Sequence, residues 1–159
     1  MDGKTVTAAL VECGVTYIVW IPDSYTGTWD REFSGEPGLK LIRVCREGEA
    51  FAVAAGLLLG GQRPIIFIQW TGFFEAGDSL RNFIHDCKLP LFFAVGLRNY
   101  YKYKEGTSRD SAPAHAERIM KAWDIPYSLL ENSASAEELS NAYLRARSKN
   151  RAEAVFLAE

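Results

Sequence analysis

The chain alternates short, apolar, β-prone runs with stretches of helical periodicity, and no other feature constrains its fold as tightly. The runs fall at residues 17–21, 39–44, 65–69, 91–96, 127–130 and 154–157. Several are continuously apolar rather than alternating, which is the pattern of strands covered on both faces. Between them the spacing predicts helices over 4–13, 47–59, 74–86, 114–123 and 136–148. In the helix over 74–86, Leu80, Phe83, Ile84 and Cys87 fall at i, i+3, i+4 and i+7 and are expected to face a sheet. The last helix repeats that spacing with Leu139, Ala142, Tyr143 and Ala146, after a capping-box start at Ser135 and Glu138. Strand–helix alternation with short connections implies an α/β fold, a single three-layer domain over residues 1–159 whose parallel sheet has right-handed crossovers. No internal repeat or interdomain linker is visible. The polar, Tyr/Lys-rich segment 98–113 reads as one long loop, of a length that is often functional.

Composition excludes several classes. With 159 residues, 48% of them hydrophobic and a formal net charge of −2, the chain has a core but no basic stripe or Lys/Arg run for nucleic acid. No apolar run is long enough to span a bilayer, and the first residues lack a basic-then-apolar signal layout. Cys13, Cys45 and Cys87 form no C-x-x-C pair, so neither a metal site nor a disulfide framework is expected, and a cytoplasmic protein is. An aromatic content of 13% suits a chain with an extensive protein interface.

Ligands of open α/β sheets bind at the carboxyl ends of the strands. Residues 22–25, Glu47, residues 69–72 and Arg98 onward all follow predicted strands and converge there. No G-x-G-x-x-G follows a strand and no P-loop is present, which excludes those nucleotide sites. Glu47 closes a strand and opens a helix that runs over 50–61 without a charged residue. A helix apolar all round is expected to be buried on every side, in a core or against another subunit. Its first turn would then place Glu47 in a low-dielectric setting, suited to acid/base work near neutral pH. Glu47 and Glu49 equally fit the ordinary role of first-turn acids facing the helix dipole.

Glu47, with Ala50, Ala54 and Gly56 following, resembles the signature of the pyrimidine-binding domain of thiamine-diphosphate enzymes, a flavodoxin/Rossmann-like domain. Trp20-Ile21-Pro22-Asp23-Ser24 is similar to the "VPDS" turn of phosphonopyruvate decarboxylases. Gly60-Gly61-Gln62-Arg63-Pro64 and Ile68-Gln69-Trp70-Thr71-Gly72 resemble the "GG-x-x-P…MQ-N-S-G" stretch of sulfopyruvate and phosphonopyruvate decarboxylases. Leu89-Pro90-Leu91 and Leu97-Arg98 match their "IPLL…HRG" stretch. Together these motifs cover most of the chain in matching order.

The resemblance implies the pyrimidine-binding (alpha) subunit of a 2-oxoacid decarboxylase whose diphosphate-binding (beta) subunit is a separate chain holding Mg²⁺. It implies thiamine diphosphate as cofactor, a hetero-oligomer with self-association, and no activity without the partner. Glu47 would hydrogen-bond N1′ of the aminopyrimidine and favour the imino tautomer that removes the C2 proton of the thiazolium. Pro22, Gln69, Thr71 and Gly72 would line the cofactor, and Asp23, Ser24, Glu75, Arg98 and His115 the substrate. Asp23 and Ser24 also fit a helix cap. His115 follows Pro113 within the long loop, and His85 reads as a surface residue at a helix end. Gly77-Asp78-Ser79 mimics a Mg²⁺-binding Gly-Asp-Gly but falls inside a predicted helix. Glu75 and Asp78 replace amides of the relatives, and an acid there is expected to repel a sulfonate or phosphonate tail and to offset Arg98. Carboligation on the same Glu47, and a non-catalytic α/β assembly module, remain the competing readings.

Overall fold

The computed structural model describes residues 1–131 and 134–159. In chain order the elements are α1 (Gly3–Glu12), β1 (Tyr17–Trp20), a 3₁₀ turn (Thr26–Trp29), α2 (Asp30–Gly35), β2 (Lys40–Arg43) and α3 (Glu47–Leu59). There follow β3 (Pro64–Gln69), α4 (Trp70–Glu75), α5 (Gly77–Leu80), a π-helical turn (Arg81–Asp86) and β4 (Phe92–Leu97). The chain ends with α6 (Tyr100–Lys104), α7 (Ala112–Ala122), β5 (Tyr127–Leu130), α8 (Ala136–Ser148) and β6 (Glu153–Ala158). The six strands form one sheet in the order β2-β1-β3-β4-β6-β5, every pairing parallel.

Strand side chains alternate between two cores, which is why the runs read as continuously apolar. Ile18, Trp20, Ile65, Phe67, Phe92, Ala94, Val155 and Leu157 pack with α1, α2 and α8 residues on one face. Val19, Ile66, Ile68, Phe93, Val95, Ala154 and Phe156 pack with residues of α3, α4, α5 and α7 on the other. This is the three-layer arrangement the alternation predicts. The capping box at Ser135 and Glu138 forms as expected, and Leu139, Ala142, Tyr143 and Ala146 are buried. Glu153, almost wholly buried in β6, is satisfied by Arg145 of α8 and by Arg151.

Several expectations need correction. The helix expected over 74–86 is broken into α4, α5 and the π turn, where Cys87 donates its N–H to the Asn82 carbonyl at 2.9 Å. An extra residue in that turn rotates the register, so Leu80 is buried while Cys87 is exposed. The long loop is shorter than expected, because residues 100–104 form α6 and α7 begins at Ala112. The 3₁₀ turn and α2, too short for a periodic signal, were not anticipated. Within this chain α3 is covered along one side only. Only Ala50, Phe51, Ala54 and Ala55 are buried, and Ala52, Gly56 and Leu59 are exposed, Leu59 by 74%. A helix lying on a sheet covers one stripe, and nothing among the described residues covers the other.

Candidate cofactor site

β1 leads to α2 on one face of the sheet and β3 leads to α4 on the opposite face, while the two strands are neighbours. The connections therefore diverge and leave a crevice outside the carboxyl ends of β1 and β3, the place where sheets of this kind bind ligands. Two groups of side chains stand at this edge.

The first surrounds Glu47, the first residue of α3. Its side chain lies directly against Gly72 in α4. A Cβ built on Gly72 would meet Glu47 Cγ, Oε1 and Cδ well inside 3.0 Å, a separation real Cβ atoms do not go below. Gly72 has no left-handed backbone angle, so its lack of a side chain matters for room and not for conformation. Glu47 is half-buried rather than buried, because α3 is covered on one side only. No hydrogen bond or ion pair among the described residues engages its carboxylate, which leaves it open to an N–H donor from a ligand. Gln69 ends β3 and accepts a hydrogen bond from the Thr71 hydroxyl at 3.2 Å. Thr71 is exposed and Gly72 is buried.

Glu75 belongs to this group and not to the surroundings of Arg98. Its Oε2 accepts the Gly48 N–H at 3.0 Å, and its Oε1 accepts from Arg46 Nε at 3.1 Å and forms an ion pair with Nη2 at 2.8 Å. Its charge faces Arg46 and the positive end of α3, and no ion pair among the described residues joins it to Arg98. Asp78 is an exposed partner of Arg81. Glu49 reaches back to the Cys45 N–H at 3.0 Å, the local role open to a first-turn acid.

The second group lies over Gly96 of β4, whose register partners are Gln69 of β3 and Leu157 of β6. Asp23 Oδ1 accepts from the N–H groups of Tyr25 and Thr26 at 2.9 and 2.6 Å and from the Thr26 hydroxyl at 2.9 Å. Asp23 rather than Ser24 is thus the cap of the following turn, and Ser24 is exposed beside Pro22. Asp23 Oδ2 and Glu159 Oε1 are buried without a hydrogen-bond partner, and lie 2.6 and 2.8 Å from where a Gly96 Cβ would stand. Burial, and then the charge of Asp23, push the Glu159 carboxyl up to about 7, with Arg98 pulling in the opposite direction. Arg98 itself is exposed, directly after β4.

His115 sits exposed on α7 instead of in a loop, with no hydrogen bond to Glu47, Gln69 or Arg98 among the described residues. His85 is exposed and stacks on Trp123, ring centroids 5.6 Å apart. Sequence reasoning missed Glu159, Arg46 and Gly48. The rule that placed Arg98, a residue just past a strand's carboxyl end, would have found Glu159 had it been applied to the last strand.

No protein-family model matches the chain. In sequence it is 26% identical over 140 residues to a phosphonopyruvate decarboxylase from Streptomyces viridochromogenes, covering 88% of this chain and 35% of that protein. It is 21% identical over 124 residues to the sulfopyruvate decarboxylase subunit alpha of Methanococcus maripaludis, covering 78% of this chain and 74% of that subunit. The chain thus spans about a third of the first relative and most of the second. In fold it matches benzoylformate decarboxylase from Polynucleobacter necessarius with a TM-score of 0.72 at 22% identity, over 98% of this chain and 29% of that one. Among the described residues no helix is long and apolar enough to cross a membrane, and no group of three or more His, Cys, Asp or Glu is placed to hold a metal. The chain is similar in sequence to phosphonopyruvate and sulfopyruvate decarboxylases, the proteins its motifs resemble, and in fold to a benzoylformate decarboxylase.

Proposed function

We propose that the chain is the pyrimidine-binding subunit of a two-chain, thiamine-diphosphate-dependent decarboxylase of a small 2-oxoacid with an anionic tail, of the sulfopyruvate or phosphonopyruvate kind. One observation carries the reading: a half-buried Glu47 carboxylate, unpaired among the described residues, is seated on a glycine at the carboxyl edge of a parallel sheet. The residues present fit the pyrimidine end of the cofactor. Glu47 would accept a hydrogen bond from the ring, and Pro22, Gln69, Thr71 and Gly72 would lie along it. When bound, the thiazolium supplies the electron sink for loss of CO₂.

This chain's own share is placement and charge. Glu47 presents a carboxylate already seated over Gly72 at the crevice before the ligand arrives. Arg98, with no ion pair to a carboxylate among the described residues, is the group that meets the substrate's anionic end. Asp23 and Glu159 stand nearby as a carboxyl pair. The diphosphate and Mg²⁺ fall to a separate beta subunit, and the uncovered apolar stripe of α3 suits assembly with that subunit and with further copies of this chain.

The test is to purify the chain from its native cells under mild conditions, identify what accompanies it, and quantify thiamine diphosphate in the complex by mass analysis. The expected result is a second chain, Mg²⁺-dependent cofactor and CO₂ release from sulfopyruvate or phosphonopyruvate, none of it reproduced by the isolated chain. Micromolar, Mg²⁺-dependent cofactor binding by the isolated chain would refute the two-chain reading. Ligation of the substrate to an added aldehyde would replace decarboxylation by carboligation. A complex without cofactor would leave an assembly module.

A further inference from the structure

The first four N–H groups of a helix have no partner within it, and a Ser, Thr, Asp or Asn at the N-cap commonly supplies one. The N-cap of α3 is Arg46, which makes no such bond. The acceptor comes instead from Glu75, 27 positions along the chain, whose Oε2 takes the Gly48 N–H while its Oε1 holds the Arg46 guanidinium. Gly48 also packs closely on the next helix: a Cβ there would lie 2.9 Å from the Ser79 hydroxyl of α5. Glu75 and Gly72 are three residues apart on α4 and so share one of its faces. A single turn of α4 therefore provides both the seat on which the Glu47 side chain lies and the anchor for the backbone that carries it.

We propose that Glu75 is a positioning residue for Glu47, tying the first turn of α3 to α4 so that the Glu47 carboxylate is held over Gly72. The inference rests on the role assigned to Glu47 above, and adds a residue that this role requires. The Glu75 side chain is 35% exposed and that of Arg46 76% exposed. An ion pair this open contributes little to global stability. Its consequence is local: the direction in which Glu47 points, and sub-ångström placement decides how well a catalytic hydrogen bond is made.

The experiment compares Glu75→Ala and Glu75→Gln with the unaltered chain in two arms. In the first, nuclear magnetic resonance of the isolated chain follows the Gly48 amide and the Glu47 side-chain carboxyl carbon. In Glu75→Ala the hydrogen exchange of the Gly48 amide should accelerate about 10-fold, the loss of one exposed charge-assisted hydrogen bond, and the Glu47 carbon should shift. In the second arm, with the partner subunit present, Glu75→Ala should lower kcat about 10-fold with KM changed less than about 2-fold. Glu75→Gln, which keeps an acceptor for Gly48 but loses the charge that pairs with Arg46, should fall between. A Gly48 amide and a Glu47 carbon indifferent to Glu75→Ala would overturn the proposal. So would unchanged kcat in a variant whose Gly48 bond is demonstrably lost. If the unaltered complex turns over no 2-oxoacid, the functional reading fails, while the first arm still decides whether Glu75 orients Glu47.

Discussion

Replacing Gly72 with alanine tests whether that glycine exists to make room for Glu47. The added methyl would occupy space now held by Glu47 Cγ, Cδ and Oε1, all well inside 3.0 Å. Overpacking of this kind costs about 1–3 kcal/mol. Glu47 is half-buried and can swing outward, which favours the lower part of that range. For a domain of this size about 1 kcal/mol corresponds to roughly 2–4 °C in Tm, so the Gly72→Ala chain should melt some 2–6 °C lower. In a Glu47→Ala background the obstructing atoms are gone. Alanine in place of a helical glycine then recovers about 0.4–1 kcal/mol by restricting the unfolded chain, and Gly72→Ala should raise Tm. The sign reversal between backgrounds is the signature, with a coupling energy of about 1.5–3 kcal/mol. Thermal unfolding of the isolated chain and its single and double variants measures it. Equal destabilisation in both backgrounds would show that Gly72 answers to some other constraint, and would remove the physical link between the glycine and the carboxylate.

Glu47→Gln keeps the volume and the seat on Gly72 but not the charge, so folding should be unaffected and turnover with the partner present should drop by at least about 100-fold, the usual worth of a positioned acid/base group; near-normal turnover would return Glu47 to a helix-dipole role. Arg98→Ala should raise KM for a substrate with an anionic tail by about 10- to 100-fold, one charge-assisted contact, and leave an uncharged 2-oxoacid unaffected; equal effects on both would assign Arg98 to the loop or an interface. The Glu159 carboxyl, pushed up from 4.5 to about 7, binds its proton more tightly in the folded state. Its stabilising contribution is therefore complete below pH 4.5 and lost as pH rises through about 7. Tm should fall across that window, and Glu159→Gln should flatten the fall; an unchanged profile in the variant would exclude Glu159 as its source.

The layers of this protein were legible before any coordinates, because a residue's place on a strand or helix face depends on neighbours within a few positions. Continuous apolar runs announced strands covered on both sides, and the Ser135–Glu138 box marked the start of α8 to the residue. Glu47 could be picked out as the residue that ends a strand and opens an uncharged helix. Its setting could not. Composition reports how apolar α3 is, and only packing decides which of its faces finds a neighbour within the chain. The π turn at 81–86 shifted Cys87 out of the core by one inserted residue, a change that periodicity counted from Leu80 cannot register. The pairings that define the site are non-local. Glu75 meets Gly48 because α4 folds back beside the start of α3, and Asp23 and Glu159 converge over Gly96 because the strand order β1-β3-β4-β6 places β4 between the strands that carry them. Local patterning determines which residues stand at the carboxyl edge of the sheet; the order of the strands, a property of the whole chain, determines which of them touch.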